Sequence, residues 1–486
     1  MTSKLENRHW INNEFVEFAA KESYTVRSPF DDHVVGTVPV ADESVVDRAV
    51  AAAREAYERG PWSNFTPTQR AHCMLKLADL IETKADEIAK IEAASIGQPA
   101  GSSRMITSMC ASVYRYYAGW ADKIAGESYK EEDGSYKIVQ YEPYGVCAGI
   151  AAWNATILYV AWKIAPALAA GNTFVFKSSE KAPFSPLLVA PLYKEAGFPP
   201  GVVNFISGNG LTGALLSAHM DIDKISFTGS GVTGRKVQDA AAKSNLKKVT
   251  LELGGKSPAL IFDDANLENA VTQNSQLFLW NTGQVCAATS RVFVQKSIAP
   301  KFIEALKNAF KNAEGAFGSD PAQATTMLGP LADKLQYDRV MSFIESGKAE
   351  SGAELLVGGN KIEGHKGLYV QPTIFLNAKD DAKIYREEIF GPVLNLRTFE
   401  TEEEAVKLAN DTAYGLSSAL YTESISRALR VASKIKAGTV GINGVAFPAN
   451  TTPFGGFKQS GYGRELGKAG LFAYLQEKTI SINMAV

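Results

Sequence analysis

Apolar residues at positions 45, 46, 49, 50, 53 and 56 recur at the three- and four-residue spacing of a single helix face, with Asp42 placed as a cap and Gly60 as a terminator. The pattern predicts an amphipathic helix within 42–59. A similar stripe runs over 67–96 and stops at Gly97, so the first third of the chain reads as mainly helical. The polar run 127–135 then interrupts this texture as a hairpin excursion, which is either a plain surface loop or a strand used in subunit contacts. From residue 145 the pattern changes. Short apolar runs at 146–151, 173–177, 202–206, 224–228 and 260–262 alternate with helical stretches, as in an α/β protein with a doubly wound parallel sheet. The alternation resumes over 291–399 and predicts a second α/β unit around Cys286. No internal repeat or low-complexity linker is visible.

With 486 residues the chain exceeds one ordinary core, so two or three packed units are expected. Hydrophobic content of 45% and charged content of 21% fit a soluble globular protein. A net charge of -2 gives no electrostatic reason to bind nucleic acid or an anionic membrane. Cys73, Cys110, Cys147 and Cys286 form no C-x-x-C pair, and the five histidines show no ligand spacing. Neither a disulfide framework nor a metal is expected, and a reducing compartment is the simplest setting. The first ten residues carry Lys4, Glu6 and Arg8 without an apolar stretch, so neither a secretory signal nor a transit peptide is expected, and the last residues are no peroxisomal address. The segment 144–162 is nearly free of charge over a spanning length. Asn154 at its middle, the glycines within it and Lys163 just after it favour a buried strand, a turn and the start of a helix. The expected location is cytoplasmic.

Two positions carry candidate chemistry. Cys286 closes the run Asn-Thr-Gly-Gln-Val-Cys that begins at Asn281, and Glu252 stands in Leu-Glu-Leu-Gly-Gly-Lys. A thiol among small residues suits a nucleophile, because attack needs an accessible sulfur. A carboxylate beside paired glycines suits a base, because a small-residue loop leaves room for water. Two stretches, 208–213 and 229–234, match G-x-G-x-x-G. Each sits where a strand should meet a helix N-terminus, whose N–H groups and dipole favour a pyrophosphate. The usual fingerprint asks for an acid about 20 residues on, to hold a ribose. After the second loop that acid would be Glu252, in competition with its reading as a base, and the pattern alone leaves both open. Lys177-Ser178-Ser179-Glu180 offers another ribose site, where a carboxylate accepts from hydroxyls and a lysine donates to them.

The runs Trp153-Asn154, 162–172, Phe227-Thr228-Gly229-Ser230, 252–256, 283–286, 387–392 and 453–456 follow one another in this order. Through them the chain resembles the aldehyde dehydrogenase superfamily, of the NAD(P)-dependent, non-acylating type, over nearly its whole length. The resemblance implies a Rossmann-type nicotinamide-binding domain from 1–125 and 144–253. It also implies a second α/β catalytic domain from 254–459, and a small β oligomerisation element pairing 126–143 with 473–486. A homodimer or homotetramer follows from that element. The family's ribose contacts match Lys177 and Glu180, which leaves Glu252 as the base. A carboxylate at 180 would repel a 2′-phosphate, so NAD is expected rather than NADP.

Further cofactor contacts are implied at Trp153, Gly210, Gly229, Ser230, Leu253, Gln336, Glu388 and Phe390. The implied mechanism starts with attack of Cys286 on an aldehyde. The side-chain amide of Asn154 and the backbone N–H of Cys286 hold the oxyanion, hydride passes to the nicotinamide, and Glu252 activates the water that releases the acid. Lys163 and Glu465 match a pair that relays the proton from Glu252, or form a plain structural ion pair. Met109, Ala155, Tyr159, Trp162 and Phe454 match the substrate pocket, although Trp162 and Phe454 could be ordinary core aromatics. Cys73, Cys110 and Cys147 are expected as small buried hydrophobes.

The chain departs from the family at 152–156. Most relatives read Pro-Trp-Asn-aromatic-Pro where this chain reads Ala-Trp-Asn-Ala-Thr. Losing two prolines removes restraint on the turn that carries Asn154. A methyl in place of a ring at 155 opens space near the reacting carbonyl, unless Tyr159, one helical turn on, fills it. A bulky or branched aldehyde is the expected substrate. Ser178, where a proline is common, looks minor. Two rivals remain: a CoA-acylating semialdehyde dehydrogenase, whose type generally lacks the acid at 252, and a catalytically silent homologue acting as a binding protein.

Overall fold

Asp42 caps the helix Glu43–Glu58 by accepting from the N–H groups of Ser44 and Val45, and the predicted stripe from Val45 to Ala56 is buried. The computed structural model describes residues 5–19, 21–349 and 352–484. The stretch 67–96 forms two helices rather than one, Pro67–Thr83 and Ala85–Ile96, separated at Lys84. Gly97 ends the second with a left-handed φ of 71°. The mainly helical reading of the first third overlooks four strands. His9–Ile11 pairs with Glu14–Val16 around Asn12 and Asn13, both at positive φ, and Ser23–Arg27 pairs with Val34–Pro39.

The first sheet has eight strands, in the order Gly461–Tyr462, Lys248–Glu252, Lys224–Thr228, Val146–Ile150, Thr173–Lys177, Val203–Ile206, His9–Ile11 and Glu14–Val16. The five from Lys248–Glu252 to Val203–Ile206 run parallel, and the outer strands run antiparallel to their neighbours. Buried on both faces, Val146–Ile150, Thr173–Lys177 and Val203–Ile206 read as largely apolar runs. The strand expected at 260–262 is Pro258–Ile261 and belongs to a different sheet. Lys248–Glu252, passed over because lysine and threonine break its apolar run, takes its place. Ligands of such sheets bind beyond the carboxyl ends of the strands. At those ends stand Lys177, Thr228, Glu252 and the turn that follows Ile150.

The second sheet has seven strands, in the order Glu354–Val357, Thr373–Leu376, Val393–Phe399, Arg291–Gln295, Pro258–Ile261, Ser417–Tyr421 and Thr439–Ile442. All run parallel except Glu354–Val357. A third sheet joins Leu475–Asn483, Ser135–Pro143 and Glu127–Glu132. The polar run at 127–135 is therefore a hairpin, turning at Asp133 and Gly134, both at positive φ. The strand Glu127–Glu132 is exposed along its length. Residues 1–4, 20, 350, 351, 485 and 486, which include the ends of the expected first domain and oligomerisation element, lie outside the described residues. The uncharged segment near 144–162 is the strand Val146–Ile150, a turn and the start of the buried helix Thr156–Ala170. Among the described residues no helix is long and apolar enough to cross a membrane.

Gly461 fixes the edge next to Glu252. Its φ is 119°, and a Cβ there would lie 1.9 Å from the Leu251 carbonyl oxygen. Gly461→Ala is expected to destabilise the protein by about 1–3 kcal/mol, read as a lower denaturant midpoint.

Candidate active site

Cys286 follows a strained loop. Asn281 and Thr282 sit at φ 49° and 58°, and Gly283 follows at 70°. Left-handed threonine is costly and persists only where the surroundings over-determine it. Here Thr282 Oγ1 donates to the Gly329 carbonyl at 2.7 Å, and Asn281 Nδ2 lies 3.2 Å from the Asn154 carbonyl. The Gln284 side chain donates to the Asn281 carbonyl and accepts from the Ala332 N–H. Burial, reinforced by the Glu388 and Glu252 carboxyls, pushes the Cys286 thiol up to about 12, while the backbone N–H groups of Ala287 and Cys286 face the sulfur and oppose the rise. Asn154 Nδ2 spends one hydrogen on the Gln284 carbonyl at 3.0 Å, leaving the other free. Tyr159 donates to Asn154 Oδ1 at 3.1 Å and so fixes which end of the amide is the donor.

Glu252 ends the strand Lys248–Glu252 and is buried with neither carboxyl oxygen hydrogen-bonded. Its pKa lies well above the usual carboxylate range, first because of burial and then because of the Glu465 charge, with Lys163 and Arg464 pulling it down. Lys163 Nζ donates to Glu465 Oε1 at 2.6 Å, to Thr228 Oγ1 at 2.8 Å and to Ser226 Oγ at 3.0 Å. Glu465 in turn exchanges backbone bonds of 2.7 and 2.8 Å with Phe454. The paired glycines after Glu252 were expected to leave room for water; instead, protein groups fill the space their Cβ atoms would take. A Cβ on Gly254 would lie 2.2 Å from Glu388 Oε2, and one on Gly255 would lie 2.4 Å from the Cys286 carbonyl oxygen. The glycine that opens onto Glu252 is Gly455, where a Cβ would meet Oε1 at 2.6 Å.

A polar cleft runs from the thiol over the first sheet. It is lined by Trp153, Asn154, Gly229, Ser230, Glu252, Leu253, Cys286, Gln336, Glu388 and Phe390, together with Arg235, Arg339 and Tyr414. Ser230 caps the helix Gly231–Lys243, and Gly234 lets that helix approach Leu253, whose side chain lies 2.6 Å from where a Cβ would be. Glu388 Oε1 accepts the Gly255 N–H at 2.9 Å, and burial pushes its carboxyl up to about 7. Phe390, at φ 63°, packs edge-on against Trp153, and Gln336 Nε2 donates to its carbonyl at 2.7 Å. Lys177 and Glu180 pair at 3.5 Å at the end of the next strand, outside this lining. Gly210 starts a helix capped by Asn209 and also lies outside it, with nothing within 4 Å of its would-be Cβ. Sequence reasoning missed Arg235, Arg339 and Tyr414, whose residue types carry no signal without the fold.

On the other side of the thiol lies an apolar pocket. Met109, Ala155, Tyr159, Trp162 and Phe454 line it, as do Met105, Leu158, Trp280, Val285 and Phe447. Trp162 and Phe454 pack ring against ring at 5.3 Å, and Tyr159 stands edge-on to Trp162 at 5.8 Å. The Tyr159 hydroxyl is tied to Asn154, and Ala155 still faces the pocket. Trp280, beside the cysteine loop and with its indole N–H on Ser102, was overlooked.

The profile of the aldehyde dehydrogenase family matches residues 15–480. An aldehyde dehydrogenase of Davidiella tassiana is 47% identical over 98% of this chain and 95% of its own. The structure of the NAD+ complex of an aldehyde dehydrogenase from Bacillus cereus superposes with a TM-score of 0.95 at 41% identity, covering 99% of this chain and 97% of that one. Betaine aldehyde dehydrogenase of Staphylococcus aureus, solved with NAD+, gives 0.95 at 39% identity, over 99% and 96%.

Lys163→Met would leave Glu465 buried without its cation. It is expected to cost about 3–5 kcal/mol of stability. Adding Glu465→Gln should recover part of that loss, measured by chemical denaturation of the single and double variants.

Proposed function

This chain belongs to the aldehyde dehydrogenase family, and we propose that it oxidises a bulky, apolar aldehyde to the carboxylic acid with NAD as the hydride acceptor. The observation that carries this reading is that Cys286, Asn154 and Tyr159 line both the apolar pocket and the polar cleft. A carbonyl carbon held at the thiol thus faces both cavities at once. The cleft suits a dinucleotide on its own chemistry. The N-terminus of the helix Gly231–Lys243 faces it, and the half-buried Glu388 keeps Oε2 available for a ribose hydroxyl. Lys177 and Glu180 are assigned to the other ribose, and the Glu180 carboxylate favours NAD over NADP. NAD supplies, when bound, the acceptor for the hydride that leaves the carbonyl carbon.

The chain's own residues do the rest. With its proton passed to Glu252, Cys286 attacks as the thiolate; the carbon–sulfur bond forms as the carbonyl π pair moves onto oxygen, giving a thiohemiacetal alkoxide. That alkoxide is held by the spare N–H of Asn154 and the backbone N–H of Cys286. After hydride loss a thioester joins substrate to sulfur. Glu252 takes a proton from water, and the hydroxide releases the acid. Lys163 lowers the cost of charging Glu252, and with Glu465 it forms the route by which the proton leaves. Trp153, Gly229, Ser230, Leu253, Gln336 and Phe390 hold and orient the cofactor, while Gly210 shapes the neighbouring loop.

We assign 1–125 and 144–253 to the NAD-binding domain, 254–459 to the catalytic domain, and 126–143 with 473–486 to oligomerisation. The exposed strands Glu127–Glu132 and Leu475–Asn483 support a homodimer or homotetramer. All four cysteines are free, which supports a cytoplasmic setting.

With aldehydes graded in size, NADH formation should favour bulky apolar members and vanish in Cys286→Ala. Ala155→Phe should slow large aldehydes more than small ones; an equal loss for both would sink the open-pocket reading. The active forms of Cys286 and Glu252 are the deprotonated ones, and burial raises both. kcat/KM should therefore climb with pH across about pH 6–10, and a profile falling over that range would contradict the assignment.

A further inference from the structure

Behind the turn at 152–156 stands a carboxyl that neither cavity uses. Glu92, on the helix Ala85–Ile96, is 2% exposed. Its Oε2 lies 3.1 Å from Thr156 Oγ1, which lies 2.9 Å from the Trp153 carbonyl oxygen. Its Oε1 accepts from the Ser185 hydroxyl on the helix Phe184–Ala196.

A threonine hydroxyl owns one proton, and a carbonyl oxygen can only accept. One proton cannot serve both acceptors: where it goes to Trp153, Thr156 Oγ1 accepts from Glu92, and where it goes to Glu92, the Trp153 carbonyl loses its donor. With a proton on Oε2 every oxygen is served: Ser185 donates to Oε1, Oε2 to Thr156, and Thr156 to Trp153. Ionised, Glu92 would face a bare oxygen or strip Trp153 of its donor. Burial favours the neutral form, pushing the carboxyl up to about 7 against only those two hydroxyls.

We propose that Glu92, as the neutral carboxylic acid, is a positioning residue that fixes the turn carrying Asn154, through Thr156 and the Trp153 carbonyl. It takes over the restraint that a proline at 156 would give. The Asn154 carbonyl is held from the other side by Gln98 Nε2 at 3.1 Å and by Asn281, so the loosened turn is clamped at two successive peptides. The inference rests on reading Asn154 as the oxyanion donor.

The test is first-turnover and steady-state NADH formation by the full-length protein, at one pH, in Glu92→Gln, Glu92→Ala, Thr156→Val and Asn154→Ala. Removing an oxyanion donor costs on the order of 10²–10³ in rate, which Asn154→Ala should show. Displacing that donor should cost about tenfold in kcat in Glu92→Ala and Thr156→Val, with KM for NAD little changed. Glu92→Gln, whose amide keeps a donor for Thr156 and an acceptor for Ser185, should retain the rate within about twofold. The infrared difference between the native protein and Glu92→Gln should show the loss of one neutral buried carboxyl, with that of Glu252 retained. If Glu92→Ala fails to fold, Thr156→Val, nearly isosteric, carries the test. Glu92→Gln as slow as Thr156→Val, or Thr156→Val at full rate, overturns the proposal. An Asn154→Ala variant at full rate brings down the oxyanion reading beneath it.

Discussion

The crossing from Glu252 to Pro258 is the constraint on which the rest of the site depends. Glu252 ends a strand of the first sheet and Pro258 begins one of the second. On the way, the backbone passes so close to the Cys286 carbonyl that only glycine fits at 255, and a Cβ at 254 would displace the Glu388 carboxyl. One short stretch therefore sets where the carboxyl at 252, the cysteine loop and Glu388 stand relative to one another. The loops contribute shape, but the register comes from two sheets and the backbone between them.

A second feature is how the interior handles charge. Glu252 is buried and Cys286 half-buried, neither with a cation bonded to it, and desolvation pushes both towards the neutral form. The same logic pulls Lys256, buried with its Nζ unpartnered, down to about 7. The Lys163–Glu465 pair is handled differently: Lys163 Nζ also donates to Ser226 and Thr228, while Glu465 Oε2 takes no hydrogen bond. A site built of neutral groups in a low dielectric keeps its electrostatic work for the moment when charge develops.

Legibility followed the physics of each signal. The helix Glu43–Glu58 was readable because its cap, stripe and terminator agree. The N-terminal strands were not, because three residues such as His9–Ile11 carry no period. Lys248–Glu252 was hidden because Lys248 is exposed and Thr250 bonds Lys224, so a buried strand does not read as apolar. Motif order pointed to Cys286, Glu252 and Glu388. The reason for the glycines was misread, since which atoms crowd a missing Cβ is decided by chain segments distant in sequence. Arg235 and Arg339 were invisible for the same reason.

The stretch after residue 460 does several things in few residues. Gly461–Tyr462 lies along the strand that ends at Glu252, and Glu465 holds Lys163. The Gly467 carbonyl takes the Tyr117 hydroxyl, and the Tyr474 carbonyl takes the Asn172 amide. The chain then leaves as Leu475–Asn483, paired residue for residue with Ser135–Pro143. This stretch is a tether, with one end knotted around the buried lysine and the other sewn into the outermost sheet. A short run of chain thus links the exposed strand Leu475–Asn483 to Glu465 and its buried lysine.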